Sequence, residues 1–212
     1  LMERASAGLA SVILRMLAGS VVGTRVVIAV GSGNNGGDSL FAGALLARRG
    51  MRVDALGTTS AVHLEGLAAM RRAGGRFTVW DAASSQSLVD DADVIIDGLV
   101  GIGATGALRG PAAEIVPFLN AAKGIRVSVD LASGVDADTG QVLGVAFDAD
   151  LTVTFGAFKP GHLIAPGKGL SGEVRLIDIG IAHSLGVPAV RAMRQGDVEV
   201  EIPGPDFSDH KY

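Results

Sequence analysis

Cysteine is absent from the 212 residues. That excludes disulfides and thiolate chemistry, and it suits a reducing cytosol. Aromatic residues are only 4% against 48% hydrophobic, so the core must be built from Ala, Val, Leu and Ile packed closely with many of the 31 glycines. No basic run stands out and the net charge is −4, which argues against a nucleic-acid partner. No apolar run approaches the ~20 residues of a membrane span, and no signal peptide is visible. The nucleophile elbow GxSxG is missing, as are His- or Cys-rich metal spacings. A serine hydrolase and a zinc site are both disfavoured.

What is present is an alternation. Apolar runs of strand length, such as RVVIAV, DVIID, IRVSVD and LTVTF, are separated by helical periodicities. The first helix spans residues 3–18 on a stripe of Leu9, Val12, Ile13 and Leu17. Others are expected over 38–49, closed by Gly50, and over 111–122, opened by Pro111. Continuous apolar strands alternating with helices predict a Rossmann-like, doubly wound α/β fold: a mostly parallel sheet with helices on both faces in three layers. The alternation ends near residue 181, so one domain is expected over 1–181 and a tail or linker over 182–212. Both ends read as cut: the chain opens inside a helix and stops in a proline-broken extended stretch, as an excerpt of a longer protein would.

Ligands of doubly wound sheets bind beyond the carboxyl ends of the strands. Three such ends carry acids. GSGNNGGD follows the first strand with Asn34, Asn35 and Asp38; Asp97 ends DVIID; Asp130 ends IRVSVD, with Ser133 just after it. Each acid alone has an ordinary explanation. Asp38 fits a helix N-cap, Asp97 can cap the turn behind it, and Asp130 can bond its own backbone in a turn. Three at one rim is a stronger signal, because converging carboxylates repel unless a cation or a proton sits among them. The literal GxGxxG at Gly31, Gly33 and Gly36 is weak evidence of a dinucleotide dehydrogenase, since the ribose-binding acid at the end of the second strand is lacking.

A second stretch, GLVGIGATGALRGP, has six glycine or proline residues among the fourteen of 98–111. Lying between a strand end and a helix start, it can close around an anion with Arg109 nearby. His63 reads as a surface helix residue. His162 and Lys159, in KPGHLIAPGKG, lie near the same rim; either can touch a substrate, with loop packing the better explanation.

GSGNNGGD, DVIIDGLVGIGATGALRG, SVDLASGVDADTG and DLTVTFGAFKPGH occur in the order and spacing of the NAD(P)H-hydrate epimerases, which residues 2–180 resemble. The pair of NNGGD after a strand and DxxSGxD about a hundred residues later is specific. The resemblance implies an isomerase that interconverts the R and S forms of hydrated NADH or NADPH in nicotinamide nucleotide repair, by acid–base chemistry at the hydrated ring carbon. It implies that Asn34, Asn35, Gly36, Gly37 and Asp38 line the nucleotide. Gly101, Ile102, Gly103, Ala104, Thr105, Gly106 and Ala107 would form the loop over it. Asn35, Asp97 and Ser133 would ligate one potassium ion per subunit, and Asp130 would contact the ligand and carry the catalysis. It further implies a cytoplasmic homodimer, fused in longer versions to an ADP- or ATP-dependent dehydratase domain. The family commonly has proline where Ala132 stands here. Two other readings remain: a nucleotide-binding module without catalysis of its own, and an NAD-dependent oxidoreductase. Chemically, amide oxygens suit a hard, weakly hydrated cation. Epimerisation of the carbinolamine can run through an iminium ion or through ring opening, and neither involves redox change.

Overall fold

A computed structural model of the chain describes residues 1–188 and residue 190. The tail expected beyond residue 181 therefore lies mostly outside the described residues.

Seven strands form one sheet, β1 (Arg25–Val30), β2 (Arg52–Gly57), β3 (Arg76–Val79), β4 (Val94–Gly98), β5 (Ile125–Val129), β6 (Leu151–Phe155) and β7 (Glu173–Ile177). Their order is β3-β2-β1-β4-β5-β6-β7 and every pairing is parallel. The expected doubly wound fold is thus present, with no antiparallel strand in the sheet among the described residues. The order reverses between β1 and β4, so a crevice opens at their carboxyl ends.

Alternate side chains of each strand face opposite layers. Val26, Ile28, Val30, Val94, Ile96, Val127 and Val129 belong to the core under α1 (Met2–Met16), α2 (Asn34–Arg48) and α3 (Leu64–Arg72). Val27, Ala29 and Ile95 belong to the core under α4 (Ala82–Asp90) and α5 (Pro111–Ala121). The α1 stripe is as expected: Leu9, Val12 and Ile13 are buried and Leu17 packs against them. On the second face the apolar pattern breaks off. Asp97, Ser128 and Thr152 stand in register on β4, β5 and β6, and all three are buried. Ser128 Oγ donates to Asp97, Thr152 Oγ donates to the loop carbonyl of Ser171, and Asp97 also accepts from Leu99 and Ser133, as burial requires.

Two helix starts differ from the sequence expectation. α2 begins at Asn34, four residues before the expected start at 38, with Gly33 as its N-cap and no side-chain cap. Asp38 is therefore not the cap; it sits one turn inside the helix. The NNGG run favours a turn by composition, but Gly37 N–H donates to Gly33 C=O and so closes the first helical turn over these residues. His63, read as a helix-surface residue, is instead the N-cap of α3, where its Nδ1 accepts from Gly66 N–H.

The turn after β1 is packed without slack. A Cβ on Gly31 would lie 1.7 Å from the carbonyl oxygen of Leu99, and one on Gly36 would lie 2.2 Å from that of Gly31. Gly31→Ala is expected to destabilise the fold by about 3 kcal/mol or more, because the obstruction is backbone and cannot rotate away. A denaturant titration of the variant against wild type reads the difference.

Candidate active site

The rim is assembled from four strand ends. Asn35, in the first turn of α2, is 8% exposed and donates its side-chain N–H to the carbonyl of Val100 at 2.9 Å, just beyond β4. Val100 in turn donates its N–H to Ser133 Oγ at 3.2 Å, in the loop after β5. Ser133 Oγ donates to Asp97 Oδ1 at 2.6 Å, and Ser133 N–H donates to Asp97 Oδ2 at 2.8 Å. Asn35, Asp97 and Ser133, far apart in the sequence, are thus brought together around Val100.

Asp97 has no exposed surface. It accepts four hydrogen bonds, two from Ser133, one from Leu99 N–H and one from Ser128 Oγ, yet no cationic side chain reaches it among the described residues. Burial pushes its carboxyl up to about 6, against the pull of the Ser133 bonds. A buried carboxylate without a counter-charge is costly. The surrounding donor set consists of oxygens: Asp97, the Asn35 amide, the Ser133 hydroxyl and the Val100 carbonyl. The amide oxygen of Asn35 takes part in no described hydrogen bond. That chemistry fits a hard monovalent cation.

Asp130 lies one strand further along. Its φ of +67° places it in the left-handed region, which Asp tolerates better than most residues but still at a cost. The turn is closed by a tight bond from Leu131 N–H to Val129 C=O at 2.8 Å. One carboxylate oxygen, Oδ1, accepts from Thr154 Oγ at 3.0 Å, from Phe155 N–H at 3.2 Å, and from the Lys159 ammonium. The other oxygen, Oδ2, takes part in no described hydrogen bond. Asp38 faces this group from α2. Its Oδ1 is buried without a partner, and burial together with the charge of Asp130 pushes its carboxyl up to about 7.

The remaining expected residues line the same edge. Asn34 is exposed and Gly36 and Gly37 are buried. Gly101 lies against Asn35, a Cβ on it falling 3.6 Å from the amide oxygen. Ile102, Gly103, Thr105 and Gly106 are exposed while Ala104 and Ala107 are half-buried. Arg109 is exposed at the far end of that loop. A cavity of about 200 Å³ lined by Arg25, Arg52, Asp54, Arg76 and Asp91 lies at the opposite end of the strands, away from these groups.

Sequence reasoning gives too little weight to three residues. It does not single out Thr154, and it assigns Lys159 and His162 to loop packing. His162 is indeed buried, but its Nε2 meets the carbonyl oxygen of Asp130 at 2.8 Å. The signal in the sequence is their position, since TFGAFKPGH leaves β6 at the rim where Asp130 leaves β5.

The two raised carboxyls have a consequence for folding. Each binds a proton in the folded chain at pH values where the unfolded chain, near 3.8, has released it. Stability contributed by the protonated forms is thus present at low pH and is lost as pH rises through about 6 for Asp97 and about 7 for Asp38. His162, held below its usual value by burial, works in the opposite sense. In potassium-free buffer, Asp38→Asn is expected to flatten the fall in urea midpoint between about pH 5 and pH 8. An unchanged slope would remove Asp38 from this role.

An all-parallel 3-2-1-4-5-6-7 sheet with an acidic and amide-rich rim at its switch point defines a Rossmann-like α/β protein, with its candidate ligand site on the carboxyl edge. Residues 1–161 match the family described as YjeF-related protein N-terminus, and the chain belongs to that family. It is 44% identical over 216 residues to the bifunctional NAD(P)H-hydrate repair enzyme Nnr of Mycobacterium leprae, covering 100% of this chain and 43% of that one. It is 41% identical over 206 residues to the NAD(P)H-hydrate epimerase of Clavibacter sepedonicus, covering 92% of this chain and 87% of that one. The chain therefore spans less than half of the bifunctional relative and most of the shorter one. The crystal structure of the yeast protein ynu0 shares the fold, with a TM-score of 0.70 at 23% identity over 77% of this chain and 72% of that one. Among the described residues no helix is long and apolar enough to cross a membrane.

Proposed function

We propose that the chain is an isomerase that interconverts the R and S forms of hydrated NADH or NADPH. The observation that carries this reading is the Asp130 carboxylate, fixed through Oδ1 and open at Oδ2, on a rim shared with Asn35, Asp38, Asp97 and Ser133. The names of the M. leprae and C. sepedonicus relatives support the substrate.

Hydrated NAD(P)H carries a hydroxyl on the ring carbon bonded to the ring nitrogen. Once Asp130 Oδ2 has taken up a proton from solvent, that proton passes to the hydroxyl. The nitrogen lone pair then forms the C=N bond as the C–O bond breaks and water leaves. Water adds to the other face of the iminium carbon and releases its extra proton to solvent, which balances the proton that Asp130 supplied. The electron pair of the C–O bond that departs with water is replaced by that of the water that adds, so the oxidation level is unchanged and no redox partner is required. Asn34 to Asp38 and the backbone of 101–107 hold the nucleotide over this group.

Asn35, Asp97 and Ser133 would hold one potassium ion, which supplies the counter-charge that the buried carboxylate lacks. To the same reading belong a cytoplasmic location, supported by the lack of cysteine, and a homodimer, supported by the family resemblance. Joint action with a dehydratase domain is supported by the bifunctional relatives. Incubating one purified hydrate epimer with the chain and following the epimer ratio by chromatography tests the function. Equilibration faster than the spontaneous rate is expected. Equilibration at the spontaneous rate by folded, potassium-loaded protein would overturn it.

A further inference from the structure

Lys159 and His162 converge on Asp130 from one loop. The Lys159 ammonium bonds Asp130 Oδ1, donates to Thr154 Oγ at 2.8 Å and to the Phe155 carbonyl at 3.1 Å, and is only 13% exposed. All three of its donors are therefore used inside the protein, and none is left to take up a substrate oxygen. Its own backbone N–H donates to His162 Nδ1 at 3.2 Å. An Nδ1 that accepts leaves the proton on Nε2, and Nε2 points at the Asp130 carbonyl at 2.8 Å. The loop thus grips Asp130 twice, once through its side chain and once through its main chain, and the gripped residue is the one with φ +67°.

We propose that Lys159 and His162 form one positioning unit for Asp130, holding its main chain in the left-handed conformation and its carboxylate with Oδ1 occupied and Oδ2 presented to the substrate. Neither residue touches substrate in this arrangement. The charged and titratable groups facing Asp130 are Asp38 from α2, and Lys159 and His162 from the loop after β6. Burial holds His162 below its usual value, in the direction of the neutral ring that an accepting Nδ1 implies.

The proposal rests on the epimerase reading for its kinetic arm, but a second arm does not. In ligand-free protein, the nitrogen-15 shifts of the His162 ring are expected to show the Nε2–H tautomer, and a ligand-free crystal structure of Lys159→Met is expected to show the Asp130 carboxylate turned from its present position. The Nδ1–H tautomer, or an unmoved carboxylate, would overturn the unit even if the wild type epimerises nothing. In the kinetic arm, Lys159→Met is expected to lower kcat by ~10²-fold with KM changed little, since the reacting carboxylate is displaced while the groups that bind the nucleotide stay in place. Lys159→Arg keeps the charge and is expected to restore at least tenfold of that rate, which also separates the effect from misfolding. A rise in KM at constant kcat would mean that Lys159 touches substrate directly and would contradict the proposal, as would unchanged kinetics in both variants. If the wild type itself fails to interconvert the epimers while the tautomer and carboxylate results hold, the epimerase reading falls and the positioning unit stands.

Discussion

Asp130→Asn is expected to slow R/S interconversion by ~10²–10⁴-fold, the usual worth of a positioned acid–base group. The substitution separates chemistry from architecture. Asn tolerates a positive φ at least as readily as Asp, so the left-handed turn after β5 survives. The amide oxygen still accepts from Thr154 Oγ, Phe155 N–H and Lys159 at the Oδ1 position. The proton exchanged at Oδ2 is lost, and so is the negative charge paired with the Lys159 ammonium, which is only 13% exposed. Removing one partner of a largely buried ion pair leaves the other uncompensated, so a lowered unfolding midpoint in a chain still folded at the assay temperature, together with the lost rate, is the expected pair of results. A variant that exchanges epimers at near wild-type rate would transfer the acid–base role elsewhere, with Asp38, pushed up to about 7 beside it, the next residue to replace.

Asp97→Asn is expected to act in the opposite register, on stability and ion response. The carboxylate accepts from two backbone N–H groups and two hydroxyls. Either orientation of an amide places its NH2 against one of those backbone donors. At least one hydrogen bond is lost in a fully buried site, at a cost of ~1–3 kcal/mol. If Asn35, Asp97 and Ser133 hold potassium, wild type is stabilised by adding it, as mass action requires of anything that binds only the folded chain. The gain should be larger at pH 7.5 than at pH 5, because below about 6 a proton competes for Asp97. Melting temperatures in potassium against a large organic cation at equal ionic strength measure this. The expected result is a potassium-specific rise in wild type that Asp97→Asn abolishes; an equal response in both would remove Asp97 from the ion site.

How much of this is legible in the sequence depends on the physics behind each feature. The strands can be read because a sheet buried on both faces makes continuous apolar runs, and LTVTF matches β6 residue for residue. The convergence of Asp97, Asp130 and Ser133 is legible through the rule that sites lie beyond strand ends. The start of α2 is not, because Asn and Gly have poor intrinsic helix propensity and only the packing of Gly36 against the Gly31 carbonyl shows why no larger residue stands there. The buried row of Asp97, Ser128 and Thr152 is hidden for a related reason: register between strands far apart in sequence cannot be read from either strand alone. The grip of Lys159 and His162 on Asp130 likewise spans about thirty residues and depends on β6 lying beside β5.

The central claim is that the ends of β1, β4 and β5 build one nucleotide site around Asp130. A crystal structure of the chain with hydrated NADPH and potassium tests it most directly. The account predicts the hydrated ring carbon within hydrogen-bonding reach of Asp130 Oδ2, the nucleotide between residues 34–38 and 101–107, and the ion on Asn35, Asp97 and Ser133. A nucleotide bound at the opposite, amino-terminal ends of the strands, or one whose hydrated ring lies beyond reach of Asp130, would contradict it.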